Sequence, residues 1–362
     1  MTASPSSAAR LYTLDTLRGL AALCVVFWHW QHFFYVADDP SAFVAAQQPF
    51  FATFKGLYGH GGLAVQLFFS ISGFVFFWLF AKKISEKSIT ANRFALDRFS
   101  RLYPLHIVTF VVVAALQVIY GSMHSSSFVY QANDAYHAIL NVFLAPAWGF
   151  EKGWSFNAPI WSVSVEVLLY ATFFLICLTG RFLLPLAVLI CALGAYLYPD
   201  YYKQGSGLLC FYVGGLTYIS LQWLERHAGL GRSTALVSVA CAAAWVYQLG
   251  FSDNVNTYFV MCVGFPLLIA ALAGIGRYWP NLLRSGAVLG DISYASYLIH
   301  FPLQIVFALT SDKLGFARAV FYQGWVMLLF FAVLIVLSML SHRFLERPAQ
   351  RFLRAREARP LP

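Results

Sequence analysis

Two polar residues stand eleven positions apart in a run that is otherwise apolar. Arg18 and His29 belong to the stretch LDTLRGLAALCVVFWH. On an α-helix this spacing makes three turns plus ~20°, so both side chains share one face, about 16 Å apart along the axis. Asp15 joins the same face. Arginine suits phosphate, and imidazole can act as a general base near neutral pH. The spacing therefore predicts a helix wall with a cation at one end and a base at the other.

Other apolar runs carry polar residues at helical spacing. Ser162 and Glu166 follow it in WSVSVE, and Tyr297 and His300 follow it in SYASYLIH. A carboxylate that orients an imidazole makes a general base, so we predict that Glu166 orients His29. The alternative is a polar pair that only holds helices together. Candidates for contacting the substrate or stabilising an oxyanion are Ser70, Ser72, Trp161, Ser162, Tyr297 and His300.

Several of these candidates also have a purely structural interpretation. Ser70 and Ser72 occur in FFSISGF, where small residues favour close helix packing. His300 is followed closely by Pro302 and could satisfy a backbone carbonyl that the proline frees. His32 lies one helical turn beyond His29, and an interfacial position is favoured for it.

Three arginines cluster in the segment ANRFALDRFSRLYP, just before an apolar run. They are Arg93, Arg98 and Arg101. A planar guanidinium binds phosphate oxygens well, so together with Arg18 these residues predict a site for a polyphosphate ligand. The alternative is ordinary anchoring to anionic lipid headgroups.

The composition indicates that a lipid bilayer surrounds these helices. Of 362 residues, 60% are hydrophobic and 11% are charged, against roughly 25% charged in soluble domains. Apolar runs near the ~20 residues needed to cross hydrocarbon recur along the chain. The predicted fold is an all-α polytopic membrane protein with about ten transmembrane helices. The predicted spans are 17–36, 61–80, 102–120, 160–179, 183–199, 206–223, 233–250, 256–276, 287–309 and 320–342.

The distribution of lysine and arginine predicts that both the N-terminus and the C-terminus are cytoplasmic, because basic residues are enriched on the cytoplasmic side. No internal repeat or soluble domain is visible. We therefore predict a single transmembrane domain over residues 1–342 and a short basic cytoplasmic tail over residues 343–362. The exterior segment 121–159 and its border carry tryptophans, including Trp154 and Trp161, that either stack on a sugar or anchor at the interface.

Two classes of site are not indicated. The six cysteines lie in apolar runs without metal-ligand spacing, so no metal site is predicted. The net charge of +9 follows from the basic side of a membrane protein, and no nucleic-acid partner is predicted.

Five blocks, in order, resemble the membrane acyltransferase 3 family: LDTLRGLAALCVVFWH, FFSISGF, RFSRLYPLH, WSVSVE and DISYASYLIH. The resemblance covers the chain from Leu14 to about Pro348. It implies transfer of an acyl group, usually acetyl, from cytoplasmic acyl-CoA to an acceptor at or beyond the outer face of a bacterial cytoplasmic (inner) membrane. The arginine and histidine that this family requires correspond to Arg18 and His29.

The resemblance also implies the partners. The donor is acetyl-CoA or another acyl-CoA, and the block around Tyr103 is expected to help bind it. The residues expected to contact this donor are Arg18, Arg93, Arg98, Arg101 and Tyr103. The expected acceptor is a sugar hydroxyl in an exopolysaccharide, a lipid-linked oligosaccharide or a related glycan or glycolipid, although family acceptors extend to macrolides. Membrane lipids are further partners, and a homo-oligomer is compatible with the sequence.

Two other classes of function remain open from the sequence. One is a proton-coupled transporter or flippase for a glycolipid or small solute, in which His29, Glu166 and His300 form a proton relay. The other is a sensor or scaffold whose polar groups only hold a helix bundle together. Release of CoA that depends on His29 distinguishes the acyltransferase from both.

Overall fold

A computed structural model describes residues 10–41, 43–250 and 254–357, so the last five residues of the predicted tail lie outside the described chain. The described residues are mostly helical and include one short antiparallel β-hairpin, β1 (Tyr35–Val36) and β2 (Asp39–Pro40). Their α-helices are α1 (Tyr12–His29), α2 (Phe51–His60), α3 (Ala64–Phe76), α4 (Lys82–Ser85), α5 (Ala91–Met123), α6 (Ala135–Val142), α7 (Trp161–Leu178), α8 (Leu183–Leu197), α9 (Tyr202–Ala228), α10 (Leu230–Gly250), α11 (Thr257–Phe259), α12 (Phe265–Tyr278), α13 (Ala287–Asp291), α14 (Ser293–Lys313), α15 (Gly324–Ser341) and α16 (Arg347–Glu357).

Eight helical segments of the described chain are long and apolar enough to cross a membrane. They correspond to eight of the ten predicted spans, and the multi-pass all-α fold is confirmed. The other two predicted spans, 17–36 and 287–309, correspond to α1 and α14. These two helices carry the polar stripes that suggested chemistry, which is why their composition is less apolar than that of the other spans.

The chain forms two compact units. The first unit contains the chain up to Leu20, Val65–Thr90 and Leu169–Asp291. The second contains Ala21–Ala64, Ala91–Leu168 and the chain from Ile292 onward. The second unit therefore holds most of the residues singled out for chemistry, whereas Arg18, Ser70 and Ser72 belong to the first.

In the first unit, α3 and α9 approach each other so closely that only glycine fits at the crossing. A Cβ atom on Gly73 would lie 1.8 Å from the carbonyl oxygen of Phe211, and one on Gly214 would lie 2.0 Å from that of Ser70. Ser70 is fully buried, and its hydroxyl donates to the carbonyl of Gln66 at 3.1 Å. At Ser70 and Gly73, the block FFSISGF therefore serves close helix packing.

In the second unit, α14 packs against α5, α15 and the 3-10 turn Trp30–Phe34 that follows α1. Phe33 stacks on Phe321 with ring centroids 3.8 Å apart. The indole N–H of Trp30 donates to the carbonyl of Phe321 at 3.0 Å. Both side chains of the turn are fully buried, so this packing fixes the end of α1 against the 3-10 turn Arg318–Tyr322 that follows α14.

Replacing Gly73 by alanine should destabilise the protein, because the new methyl group meets backbone atoms that cannot move aside. Overpacking of this kind costs about 1–3 kcal/mol or more. Thermal unfolding of the detergent-solubilised chain measures the effect. Gly121→Ala is the matched control, since a Cβ atom there meets nothing within 4 Å. Equal unfolding temperatures for the two variants would contradict the close crossing.

Candidate active site

The end of α1 and the middle of α14 bring two histidines into direct contact. Nδ1 of His29 lies 3.0 Å from Nε2 of His300, and the two rings stack with centroids 4.9 Å apart. His29 is 7% exposed and His300 is fully buried. Because both rings are buried, each ring nitrogen needs a hydrogen-bond partner. A buried polar group without one lowers the stability of the protein.

The partner of the remaining His300 nitrogen fixes the positions of the ring hydrogens. Nδ1 of His300 lies 2.6 Å from the carbonyl oxygen of Tyr297. A carbonyl can only accept, so this nitrogen carries the hydrogen. In the uncharged state of the pair, Nε2 of His300 then accepts from Nδ1–H of His29. Nε2 of His29 consequently holds a lone pair, which is what a general base requires.

The side chain of Gln304 forms a hydrogen bond to the backbone of His29. Its side-chain amide nitrogen, Nε2, donates to the carbonyl of His29 at 2.8 Å. Its side-chain oxygen accepts from Nδ1 of His32 at 3.2 Å. Gln304 is fully buried and His32 is 4% exposed, so the His32 ring is enclosed by protein, and its interfacial depth stays a prediction. The residue is tied to α14 by Gln304.

Pro302 interrupts α14 next to the histidine pair, and a residue outside the helix compensates for it. Proline has no N–H, so the carbonyl four residues earlier, on Leu298, loses its helical donor. The side-chain amide of Asn157 donates to that carbonyl at 3.0 Å. Asn157, and not His300, therefore satisfies the freed group. The structural interpretation of His300 as a cap for the proline is not supported.

The hydroxyl groups of Ser162 and Tyr297 form a short chain near the same helix. The Tyr297 hydroxyl donates to the carbonyl of Pro159 at 2.7 Å. The Ser162 hydroxyl lies 2.9 Å from the Tyr297 hydroxyl and 3.3 Å from the same carbonyl. Both hydrogens are engaged, so neither hydroxyl can stabilise an oxyanion without exchanging a partner. Trp161, the first residue of α7, is buried beside Ser162.

Glu166 does not contact the ring of His29 in the described chain. The ring of His29 contacts Trp28, His32 and His300, and its hydrogen bond goes to His300. Within the described chain these are the ring partners of His29, and Glu166 is not among them. The carboxylate lies partly exposed one helical turn after Ser162 on α7. A catalytic role for Glu166 stays a prediction.

Arg18 is held by neighbours in the first unit. It forms an ion pair with Asp15 at 3.1 Å and donates to the carbonyl of Gly290 at 2.9 Å. Asp15 also pairs with Arg10, which in turn reaches Asp291. A phosphate ligand would have to compete with a carboxylate for Arg18, and the predicted role of Arg18 in donor binding stays a prediction.

The arginines of α5 differ in their partners. Arg93 lies 3.6 Å from Asp97, and Arg354 of α16 lies 3.1 Å from the same carboxylate. The side chain of Arg101 has no hydrogen-bond or ion-pair partner within the described chain and is partly buried. Tyr103 stacks on Phe99 with centroids 4.5 Å apart. Arg101 is thus the cation of this set whose charge is least compensated.

Sequence reasoning missed two residues that position the histidines. Gln304 lies four residues after His300 and continues the stripe that Tyr297 begins, so extending the helical spacing would have found it. Asn157 lies in a loop, where no periodicity points to it. The proline signals a freed carbonyl but does not indicate the donor.

The sequence matches known acyltransferases over nearly its whole length. The acyltransferase 3 model, described as an acyltransferase domain, matches residues 11–342. "Acyltransferase MdmB" of Streptomyces mycarofaciens is 28% identical over 390 residues, which cover 96% of this chain and 94% of the relative. "Protein 2 in picA locus" of Rhizobium radiobacter is 37% identical over 112 residues, which cover 31% of this chain and 48% of the relative. No solved structure shows significant similarity.

Gln304→Met should destabilise the protein although methionine fills a similar volume. The change leaves the buried carbonyl of His29 and Nδ1–H of His32 without partners, which costs about 1–3 kcal/mol per group. Chemical or thermal unfolding in detergent measures the loss. Gln47→Met, at an exposed position, serves as the control. If both variants unfold like the parent, the bridging role of Gln304 is wrong.

Proposed function

The chain belongs to the acyltransferase 3 family, and from this premise we propose that it transfers an acyl group, most simply acetyl, from acyl-CoA to a hydroxyl group of a glycan, with His29 as the general base. Family membership supports the membrane acyltransferase over the transporter and scaffold alternatives. The observation that carries the role of His29 is its hydrogen bond to His300. That bond directs the free lone pair to Nε2 of His29.

In the proposed reaction, the imidazole of His29 first accepts a proton and later returns it. Nε2 of His29 accepts the proton of the acceptor hydroxyl while the hydroxyl oxygen attacks the thioester carbonyl carbon. The tetrahedral intermediate collapses, the carbon–sulfur bond breaks, and the departing CoA thiolate takes the proton back from Nε2. Proton transfer of this kind contributes typically 10²–10⁴-fold to a rate.

His300 would stabilise the imidazolium that forms on His29. Nδ1–H of His29 donates to Nε2 of His300 throughout, as a carboxylate partner would receive it in a serine hydrolase. A neutral imidazole attracts the positive charge less strongly than a carboxylate does. However, the second hydrogen bond, from Nδ1–H of His300 to the carbonyl of Tyr297, polarises the His300 ring and makes its Nε2 a stronger acceptor for Nδ1–H of His29.

For the donor, we assign the nucleotide phosphates of acyl-CoA to the arginines of α5, with Arg101 the leading contact. Arg93 and Arg98 would add charge, Tyr103 would support the neighbouring backbone, and Arg18 would contribute after releasing Asp15. An uncompensated guanidinium forms strong charge-assisted hydrogen bonds to phosphate. Polar groups among the six substrate candidates would stabilise the oxyanion. The Tyr297 hydroxyl could donate to the oxyanion after it breaks its hydrogen bond to the carbonyl of Pro159.

The proposed setting is a bacterial cytoplasmic membrane with both termini inside, so that the donor binds from the cytoplasm and the acceptor from outside. The acceptor would be a sugar of an exopolysaccharide or a lipid-linked precursor. Mass spectrometry of cell-surface glycans with and without the gene tests this assignment. Loss of one acetyl group from a glycan is the expected result, and identical glycans would exclude it.

His29→Ala should abolish acyl transfer, and His300→Ala should reduce it by about 10–100-fold, because the base is lost in the first variant and only its partner in the second. Release of CoA from acetyl-CoA by the purified protein, with water attacking in place of the acceptor hydroxyl, measures both. His60→Ala, at an exposed histidine, should leave the rate unchanged. Full activity of folded His29→Ala would exclude the proposed base.

Arg101→Gln should raise the KM for acyl-CoA about tenfold and change kcat little, since one charge-assisted contact to phosphate is worth roughly 1–2 kcal/mol. Initial rates over a range of acetyl-CoA concentrations give both constants. Arg284→Gln is the matched control at an exposed arginine. An unchanged KM for Arg101→Gln would show that Arg101 does not bind the donor, and anchoring to anionic lipid headgroups would then be its role.

A further inference from the structure

The last helix of the described chain, α16, follows the apolar helix α15 without a break. The π-helical turn His342–Glu346 joins the two helices. Their compositions differ sharply, because α15 contains no charged residue whereas α16 contains four arginines: Arg347, Arg351, Arg354 and Arg356. The positive charge of this long helical segment therefore begins just beyond the predicted span 320–342.

The turn and α16 expose one face, which we call the basic–aromatic face. Its exposed residues come in consecutive pairs, and the two residues after each pair are buried or partly buried. Residues four apart lie on the same side of a helix, so the pairs form one continuous face. The basic–aromatic face consists of Arg343, Phe344, Arg347, Pro348, Arg351 and Phe352.

The opposite face of α16 packs on α5, and this contact fixes the direction of the basic–aromatic face. Nε of Arg354 lies 3.1 Å from the Asp97 carboxylate and donates to the Ser100 hydroxyl at 3.2 Å. Glu346 also belongs to the packed face, because it is 4% exposed. The basic–aromatic face is thus turned away from α5, and the Glu346 carboxylate does not lie on it.

Three arginines of the basic–aromatic face carry charge that no carboxylate compensates. Arg343, Arg347 and Arg351 form no hydrogen bond or ion pair within the described chain. Steps of four residues separate them by about 6 Å along the helix axis. A guanidinium binds phosphate oxygens through charge-assisted hydrogen bonds. This row therefore suits several neighbouring phosphate groups.

The aromatic residues of this face indicate that the phosphates belong to lipids. Phe344 is 67% exposed and Phe352 is 59% exposed. Phe344 also continues, at steps of four residues, an exposed apolar row of α15 that includes Val336 and Leu340. A soluble phosphate compound leaves such rings in water. At a membrane surface, the rings of a basic amphipathic helix enter the boundary between headgroups and acyl chains.

We infer that the basic–aromatic face of α16 is a docking surface for anionic phospholipids of the leaflet at which α15 ends. Arg343, Arg347 and Arg351 bind the headgroup phosphates, and Phe344 and Phe352 enter the acyl-chain boundary. The inference goes beyond the proposed acyl transfer and does not depend on it.

The purified full chain in neutral detergent is titrated with phosphatidylglycerol, and native mass spectrometry counts the bound lipids. Phosphatidylglycerol should bind more tightly than phosphatidylcholine. Combining Arg343→Gln, Arg347→Gln and Arg351→Gln should weaken the binding of phosphatidylglycerol about tenfold, because each arginine near an anionic lipid surface contributes to binding. Lysine at the same three positions keeps the charge and should retain most of the binding. Thermal unfolding shows that each variant is folded.

The matched control combines Arg226→Gln, Arg232→Gln and Arg284→Gln, which remove the same charge from exposed arginines outside α16. This control should bind phosphatidylglycerol as the parent does. Equal losses in the two triple variants, or equal binding of the two lipids to the parent, would overturn the docking surface. Coenzyme A is titrated in parallel. If the α16 variant loses binding of coenzyme A and keeps that of phosphatidylglycerol, the face binds a soluble phosphate compound and the inference is wrong.

Discussion

A buried imidazole has two ring nitrogens to satisfy, and in this protein one backbone carbonyl decides how that is done. The carbonyl of Tyr297 can only accept, so it takes Nδ1–H of His300 and directs the hydrogen bond between the two histidines. Other contacts keep this carbonyl in place. Asn157 compensates for Pro302 one helical turn away, and the Tyr297 side chain is held by Pro159. The chemistry assigned to His29 depends on this support.

The helical stripes of this site could be predicted from the sequence because they follow the period of an α-helix. The spacing placed Arg18 and His29 on one helix, and Tyr297 and His300 on another. Spacing does not determine which helix faces which, and for that reason it favoured Glu166 as the partner of His29. A loop residue such as Asn157 has no period to reveal it, and its role follows only from the tertiary position of the carbonyl that Pro302 frees.

The arginines show a second limit of sequence reasoning. In the sequence they differ little, yet the structure gives Arg18 an aspartate at i−3 and gives Arg93 one at i+4. Those two carboxylates are visible in the sequence once helical spacing is applied. The pairing of Arg354 with Asp97 joins residues far apart in the chain and was not predictable. Compensation of charge by neighbours, more than the number of arginines, separates the candidates for binding an anion.

The partner of His29 in this protein is an imidazole and not a carboxylate, and this has an electrical consequence. A histidine–carboxylate pair carries a negative charge at rest, whereas two neutral imidazoles carry none. A charge within a bilayer costs several kcal/mol, and a membrane voltage acts on it with about 2.3 kcal/mol per 100 mV. Neither this cost nor this voltage acts on an uncharged pair at rest. At rest the pair therefore carries no net charge on which the membrane potential can act, and charge enters the site only when His29 takes up a proton.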